Sequence, residues 1–135
     1  MPRGRMRWDC SPDKDGCYRR LGQPDLTVLD ECFPGRIGMT DVDGLVEING
    51  QFLFIEWKRR GDVPAGQRIM FERLTKHPEF TILVILGDPA TMAVQRYDVF
   101  QGGRRQGWRV CDLPELRRRV RTWARRASRA AHVSR

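Results

Sequence analysis

No run of apolar residues in this chain approaches the roughly 18–20 needed to cross a bilayer as a helix. The basic first residues are not followed by the apolar core of a secretion signal either. Both absences point to a cytoplasmic setting without a membrane partner. Internal repeats and long low-complexity segments are also missing, so no repeat architecture competes with an ordinary folded domain. Cysteine is sparse and lacks the close pairs of a zinc ribbon: Cys10, Cys17, Cys32 and Cys111 are scattered. In a reducing compartment these are expected to remain thiols, with a zinc site on Cys10, Cys17 and Cys32 as the alternative. Acidic residues are outnumbered, 17 against 25 lysines and arginines, for a net charge of +8. A polyanionic partner is therefore the expectation, and charge alone does not separate DNA from RNA.

At 135 residues the chain has material for one hydrophobic core. Residues 1–22 are basic and rich in turn formers, an arm that is either solvated or in contact with phosphate. Residues 23–135 read as a single domain. Leu26, Leu29 and Phe33 are spaced for a short helix that Pro34 and Gly35 end. A hairpin is expected over about Thr40–Arg59 and a helix over Gln67–Lys76. Phe80–Leu86 is almost continuously apolar, as a strand buried on both faces reads. Thr91–Val99 is a further strand, interrupted by Arg96 and Asp98, and a short strand follows around Trp108–Cys111.

The last helix, 112–131, opens on Asp112 with Glu115 three positions on and Pro114 in the first turn. Leu113, Leu116, Val120, Trp123 and Ala127 make one apolar stripe. Its other side carries arginines, among them Arg118, Arg121 and Arg125, suited to tracking phosphates; Arg59 and Arg60 extend that candidate nucleic-acid surface. The order of elements predicts an α/β fold, a mixed central β-sheet flanked by helices.

The hairpin carries the chemistry. Val42–Ile48 and Gln51–Trp57 are β-rich runs joined by Asn49-Gly50, the preferred pair for a type I′ turn. A two-residue loop pairs Ile48 with Gln51, Leu45 with Phe54, Asp43 with Glu56 and Asp41 with Lys58. By parity Val42, Val46, Ile48, Leu53, Ile55 and Trp57 face a core, while Asp41, Asp43, Glu56 and Lys58 share the other face. Opposed strand residues have Cβ atoms about 4.5–5.5 Å apart, so two like charges, Asp43 and Glu56, call for a compensator. A divalent cation, Mg²⁺ or Mn²⁺, is a natural one, because carboxylate oxygens are hard ligands. With a neighbouring lysine it can polarise a phosphodiester and lower the pKa of a bound water. A solvated hairpin with a weak surface ion pair is the plain alternative.

Asp43 followed by Glu56-Trp57-Lys58 resembles the split aspartate and Glu-x-Lys signature of the PD-(D/E)xK nuclease superfamily. The string from Thr40 to Lys58 is especially similar to its Holliday-junction-resolvase-like and phage-encoded branches. The resemblance covers about Thr40–Leu74 and implies a restriction-endonuclease-like core. It also implies metal ligation by Asp43, Glu56 and the Trp57 backbone carbonyl, with Lys58 acting on the attacking water. Gln67 resembles a recurring glutamine that supports the site. Asp41 assists or replaces Asp43, and Asp30 or Glu31 would fill the place of an acidic residue that many relatives bring from the preceding helix.

The implied activity is Mg²⁺-dependent endonuclease cleavage of DNA, branched or otherwise structured, by a homodimer in a host cytoplasm. An RNA-directed nuclease and a non-catalytic nucleic-acid-binding protein of the same fold are the rivals. Trp8, Phe71 and Trp108 are candidate contact residues.

Overall fold

The structure, a computed structural model, describes residues 26–130. The arm 1–22, Trp8 and the Cys10 and Cys17 members of the zinc alternative lie outside the described residues. The chain divides into two units with the boundary at Asp41 and Val42, inside the stretch 23–135 that the sequence suggests is continuous. In the first unit, Leu26–Cys32 forms a 3-10 helix with no buried residue, where the spacing predicts a short helix. Its Cys32 is an exposed free thiol.

The second unit holds the sheet. Its elements run β1 (Gly44–Ile48), β2 (Gln51–Lys58), α1 (Ala65–Leu74), β3 (Phe80–Asp88), β4 (Ala93–Gln101), β5 (Arg104–Arg105), β6 (Arg109–Val110) and α2 (Leu113–Arg129). The strand order is β1-β2-β3-β4-β5, with β6 also pairing with β4. Only β2 and β3 are parallel, joined by the α1 crossover, and the other pairs are antiparallel. This is the expected mixed α/β sheet. The helix α1 starts two residues earlier than the sequence suggests, because Pro64 supplies the extended N-cap conformation that precedes a helix.

The hairpin register is the one the turn chemistry dictates. Leu45 pairs with Phe54, Glu47 with Phe52 and Ile48 with Gln51. Asn49 and Gly50 both take positive φ, 53° and 80°, as a type I′ turn requires. Glu47 closes the turn by accepting the Gly50 N–H at 2.7 Å, a local structural role in keeping with its position at the turn end. Asn49 also reaches across to α2, where its amide donates to the Ala127 and Ala130 carbonyls at 3.4 and 2.5 Å. The Ala127 carbonyl also accepts the Ala130 N–H at 3.2 Å, so Asn49 adds a second donor there and supplies one to the Ala130 carbonyl at the helix end.

Both faces of the sheet are covered, as the apolar run Phe80–Leu86 suggests. Under α2 lie Leu53, Leu83, Ile85 and Tyr97 with Leu116, backed by Ile55, Trp57, Val120 and Trp123. Under α1 lie Ile82, Val84 and Phe100 with Phe71 and Val63, backed by Phe54, Leu74 and Trp108. Phe71 is thus a core residue, buried and edge-on to Phe100 at 5.3 Å, and not an interaction residue. Val46 on the edge strand β1 and Val42 just before it, expected in the core, are exposed. The predicted cap of α2 is present: the Asp112 carboxylate accepts the Glu115 N–H at 2.9 Å.

Replacing Asn49 with glycine keeps the turn conformation and removes only the tie to α2. Asn49→Gly should lower unfolding stability by roughly 1–2 kcal/mol. A urea titration checks this; an unchanged midpoint would show that the tie contributes nothing.

Candidate active site

Strand β2 positions the site through its even-numbered residues. The Phe52 N–H donates to Glu79 beside β3, so even residues of β2 bond towards β3 and odd ones towards β1. Side chains of the even residues point to the α1 face, since Phe54 packs in the cluster with Phe71. Glu56 and Lys58 therefore stand on that face, and Lys58 Nζ is 3.4 Å from Glu56 Oε1.

Asp43 reaches the same place by a different route from the predicted one. The β1–β2 ladder begins at Gly44 opposite Ile55, one residue short of Asp43 and Glu56. Asp43 is in a bend, and its Oδ2 accepts the Trp57 N–H at 2.7 Å. A side-chain carboxylate thus takes the place of a ladder carbonyl, the competition with secondary structure that short acidic side chains offer. The expected direct facing of Asp43 and Glu56 is replaced by a carboxylate hydrogen-bonded to the peptide that follows Glu56. The Trp57 carbonyl shares the direction of its N–H along that strand edge. Asp41, expected opposite Lys58, is outside any strand and ends the first unit. Asp30 and Glu31 also belong to the first unit, on its 3-10 helix.

The electrostatics bear the mark of two crowded carboxylates. The Glu56 pKa is raised above the ordinary glutamate range, first by burial and next by the charge of Asp43. Lys58, by its charge and hydrogen bond, and a hydrogen bond from Gln67 pull it back in part. Gln67, on the first turn of α1, thus joins the group as the sequence suggests. Its Oε1 is buried and has no hydrogen-bond partner among the described residues. Within the second unit, Asp43, Glu56, Lys58 and Gln67 are brought together.

Two carboxylates, a backbone carbonyl and an amide oxygen without a partner are all hard oxygen donors, and such a set fits Mg²⁺, which keeps several waters and few protein ligands. No cluster of three or more histidine, cysteine or acidic residues able to hold a metal occurs among the described residues. The nearest further carboxylate in the same cross-strand row, Asp98, is committed elsewhere. Glu56 pairs with Val84 and Val84 with Asp98, yet Asp98 is fully buried and accepts from Arg105 Nε at 2.5 Å and from the Gly107 N–H at 2.8 Å. Arg105 also binds Asp62, whose carboxyl pKa falls mainly through that hydrogen bond. Asp98 interrupts the apolar pattern of its strand, and a charged residue sharing strand parity with buried Phe100 is the signal for a buried partner.

Arg59 and Arg60 follow Lys58 directly and are exposed. Arg118, Arg121 and Arg125 are exposed on α2, which covers the opposite face of the sheet from Glu56. Arg118 is further engaged by Glu115, at 2.9 and 2.5 Å. A cleft of about 300 Å³ opens on that far face beside Trp123, Arg119 and Arg126, and contains none of the quartet. The chain matches no family model, no curated protein and no solved structure.

Because burial and Asp43 raise the Glu56 pKa in the folded chain, ionised Glu56 opposes folding. Its stabilising contribution is complete below the unfolded-state pKa and is lost as pH rises through the folded-state pKa. In metal-free buffer, Glu56→Gln should therefore gain stability over the wild type as pH rises from the acid range to neutrality. Thermal unfolding across that range checks the sign; a pH-independent difference would contradict it.

Proposed function

We propose that this protein is a divalent-metal-dependent nuclease that hydrolyses DNA phosphodiester bonds. The observation that carries the proposal is the convergence of Asp43, Glu56, Lys58 and Gln67 at the end of β2, with two carboxylates kept close despite their mutual repulsion. Folding alone gains little from that arrangement. A hydrolytic site gains an oxygen-donor set with a lysine beside it.

In this reading Asp43, Glu56 and the Trp57 carbonyl hold Mg²⁺ or Mn²⁺, with Gln67 Oε1 supporting the site or the substrate backbone. The bound cation supplies Lewis-acid polarisation of the phosphate and a more acidic water. Lys58 orients the attacking water and offsets charge developing on the phosphate. Arg59 and Arg60, next to Lys58 in the chain, hold neighbouring phosphates. Arg121 and Arg125 serve a separate stretch of polyanion, since α2 covers the other face of the sheet. The mixed sheet with its acidic hairpin is consistent with membership of the PD-(D/E)xK superfamily and a restriction-endonuclease-like core. A homodimer would supply a second centre for the opposed strand.

The deciding assay offers linear duplex, single strands, flaps, four-way junctions and RNA, each with Mg²⁺, Mn²⁺ or EDTA. Cleavage should require the metal, and Asp43→Asn, Glu56→Gln or Lys58→Ala should each reduce it by about 10²–10⁴-fold. Undiminished cleavage by folded variants would overturn the assignment.

A further inference from the structure

The strand register places one more cation on the catalytic face. Lys58 pairs with Leu86 on β3, and Leu86 pairs with Arg96 on β4. Paired residues share a face, so Lys58, Leu86 and Arg96 form one cross-strand row two strand spacings long, about 9–10 Å between the end Cα atoms. A second observation fixes the same face independently. The Arg96 guanidinium lies 4.8 Å from the centroid of Trp108, and Trp108 packs with the α1-side core.

Two arginines meet Trp108, and they differ in their charge partners. Arg105, 5.4 Å from the ring, is ion-paired to both Asp62 and Asp98. Arg96 has no ion pair among the described residues, and its buried Nε has no hydrogen-bond acceptor there. A half-buried guanidinium, oriented by an aromatic face and left without a counter-charge, is costly to the fold. It also suits an incoming phosphate, because a planar donor fork already held in place loses little freedom on binding.

We infer that Arg96, held on Trp108, is a phosphate-binding residue of the catalytic face and grips the nucleic-acid backbone beside the phosphate presented to Glu56 and Lys58. The inference rests on the nuclease reading above and adds to it a residue on a different strand. The contact is to phosphate, so it serves any base sequence. The direction from Lys58 to Arg96 across the sheet is the direction in which the substrate strand runs.

The test is equilibrium binding of the full chain to a short DNA duplex and to an RNA duplex of the same sequence. EDTA is present to silence cleavage, and salt is varied. Arg96→Gln should weaken binding roughly ten-fold at physiological salt and lower the salt-dependence slope by about one, and Arg96→Lys should restore the slope. Equal losses with DNA and RNA identify phosphate as the group bound. Wild-type affinity and slope in Arg96→Gln, with cleavage still abolished by Glu56→Gln, would overturn the role of Arg96 and leave the nuclease reading standing. Failure of the wild type to bind either duplex would overturn both. Failure of Arg96→Lys to restore the slope would overturn the phosphate contact in favour of a structural role. In the unaltered chain the Arg96 Nε–H resonance should shift on addition of the duplex; an unmoved resonance also overturns the proposal, even where Arg96→Gln does not fold.

Discussion

The hydrogen bond from the Trp57 N–H to the Asp43 carboxylate is the contact on which the site is built. It stops the β1–β2 ladder at Gly44, brings one carboxylate against the strand edge and leaves the second, Glu56, on the adjoining face. Had the ladder continued in register, Asp43 would have been an ordinary strand residue facing Glu56. A bend gives its carboxylate access to the edge of β2 as well as to the neighbourhood of Glu56. The consequence is visible in Glu56, whose pKa rises through burial and through Asp43, with Lys58 and Gln67 relieving part of the strain. Charges held together against repulsion are a frequent mark of functional sites.

Around this contact the sheet sorts its residues by row and by face. On the α1 face, Phe54, Ile82 and Phe100 make an apolar row, followed by Glu56, Val84 and Asp98, then by Lys58, Leu86 and Arg96. The first row anchors α1; the next two carry charge into a half-covered surface. Asp98 is ion-paired to Arg105, which leaves Glu56 as the other carboxylate of its row. The α2 face has another task. Its apolar stripe closes the second core, and Asn49 ties the hairpin turn to the end of α2, steadying β1 at the turn opposite its acidic end.

Much of this was legible in the residues, because it depends on local rules. Asn49-Gly50 specified the turn and with it the register; Asp112, Pro114 and Glu115 specified the start of α2; the unbroken apolar run from Phe80 specified the central strand. Gln67 was reachable through family resemblance. The errors share a physical cause. Parity assigns strand residues to faces but does not say which residues of a crossover helix the sheet will bury, so Phe71 stood among the candidate contact residues although it lies in the core. Ladder pairing was extended through Asp43 because periodicity cannot register a side chain competing with the backbone. The Asp98–Arg105–Asp62 network and the Arg96–Trp108 contact join positions that are far apart in sequence or differ in element, and only the folded sheet brings them together.

The central claim is that Asp43 and Glu56 are held together to bind a divalent cation. Its most direct test is the thermal midpoint of the nucleic-acid-free protein titrated with Mg²⁺ and Mn²⁺ at neutral pH. The account predicts that the cation stabilises the wild type, by about 2.7 kcal/mol at a hundred-fold excess over its Kd, and that Asp43→Asn and Glu56→Gln each abolish the gain. A wild-type midpoint unmoved by either metal, or an equal gain in both variants, would contradict it.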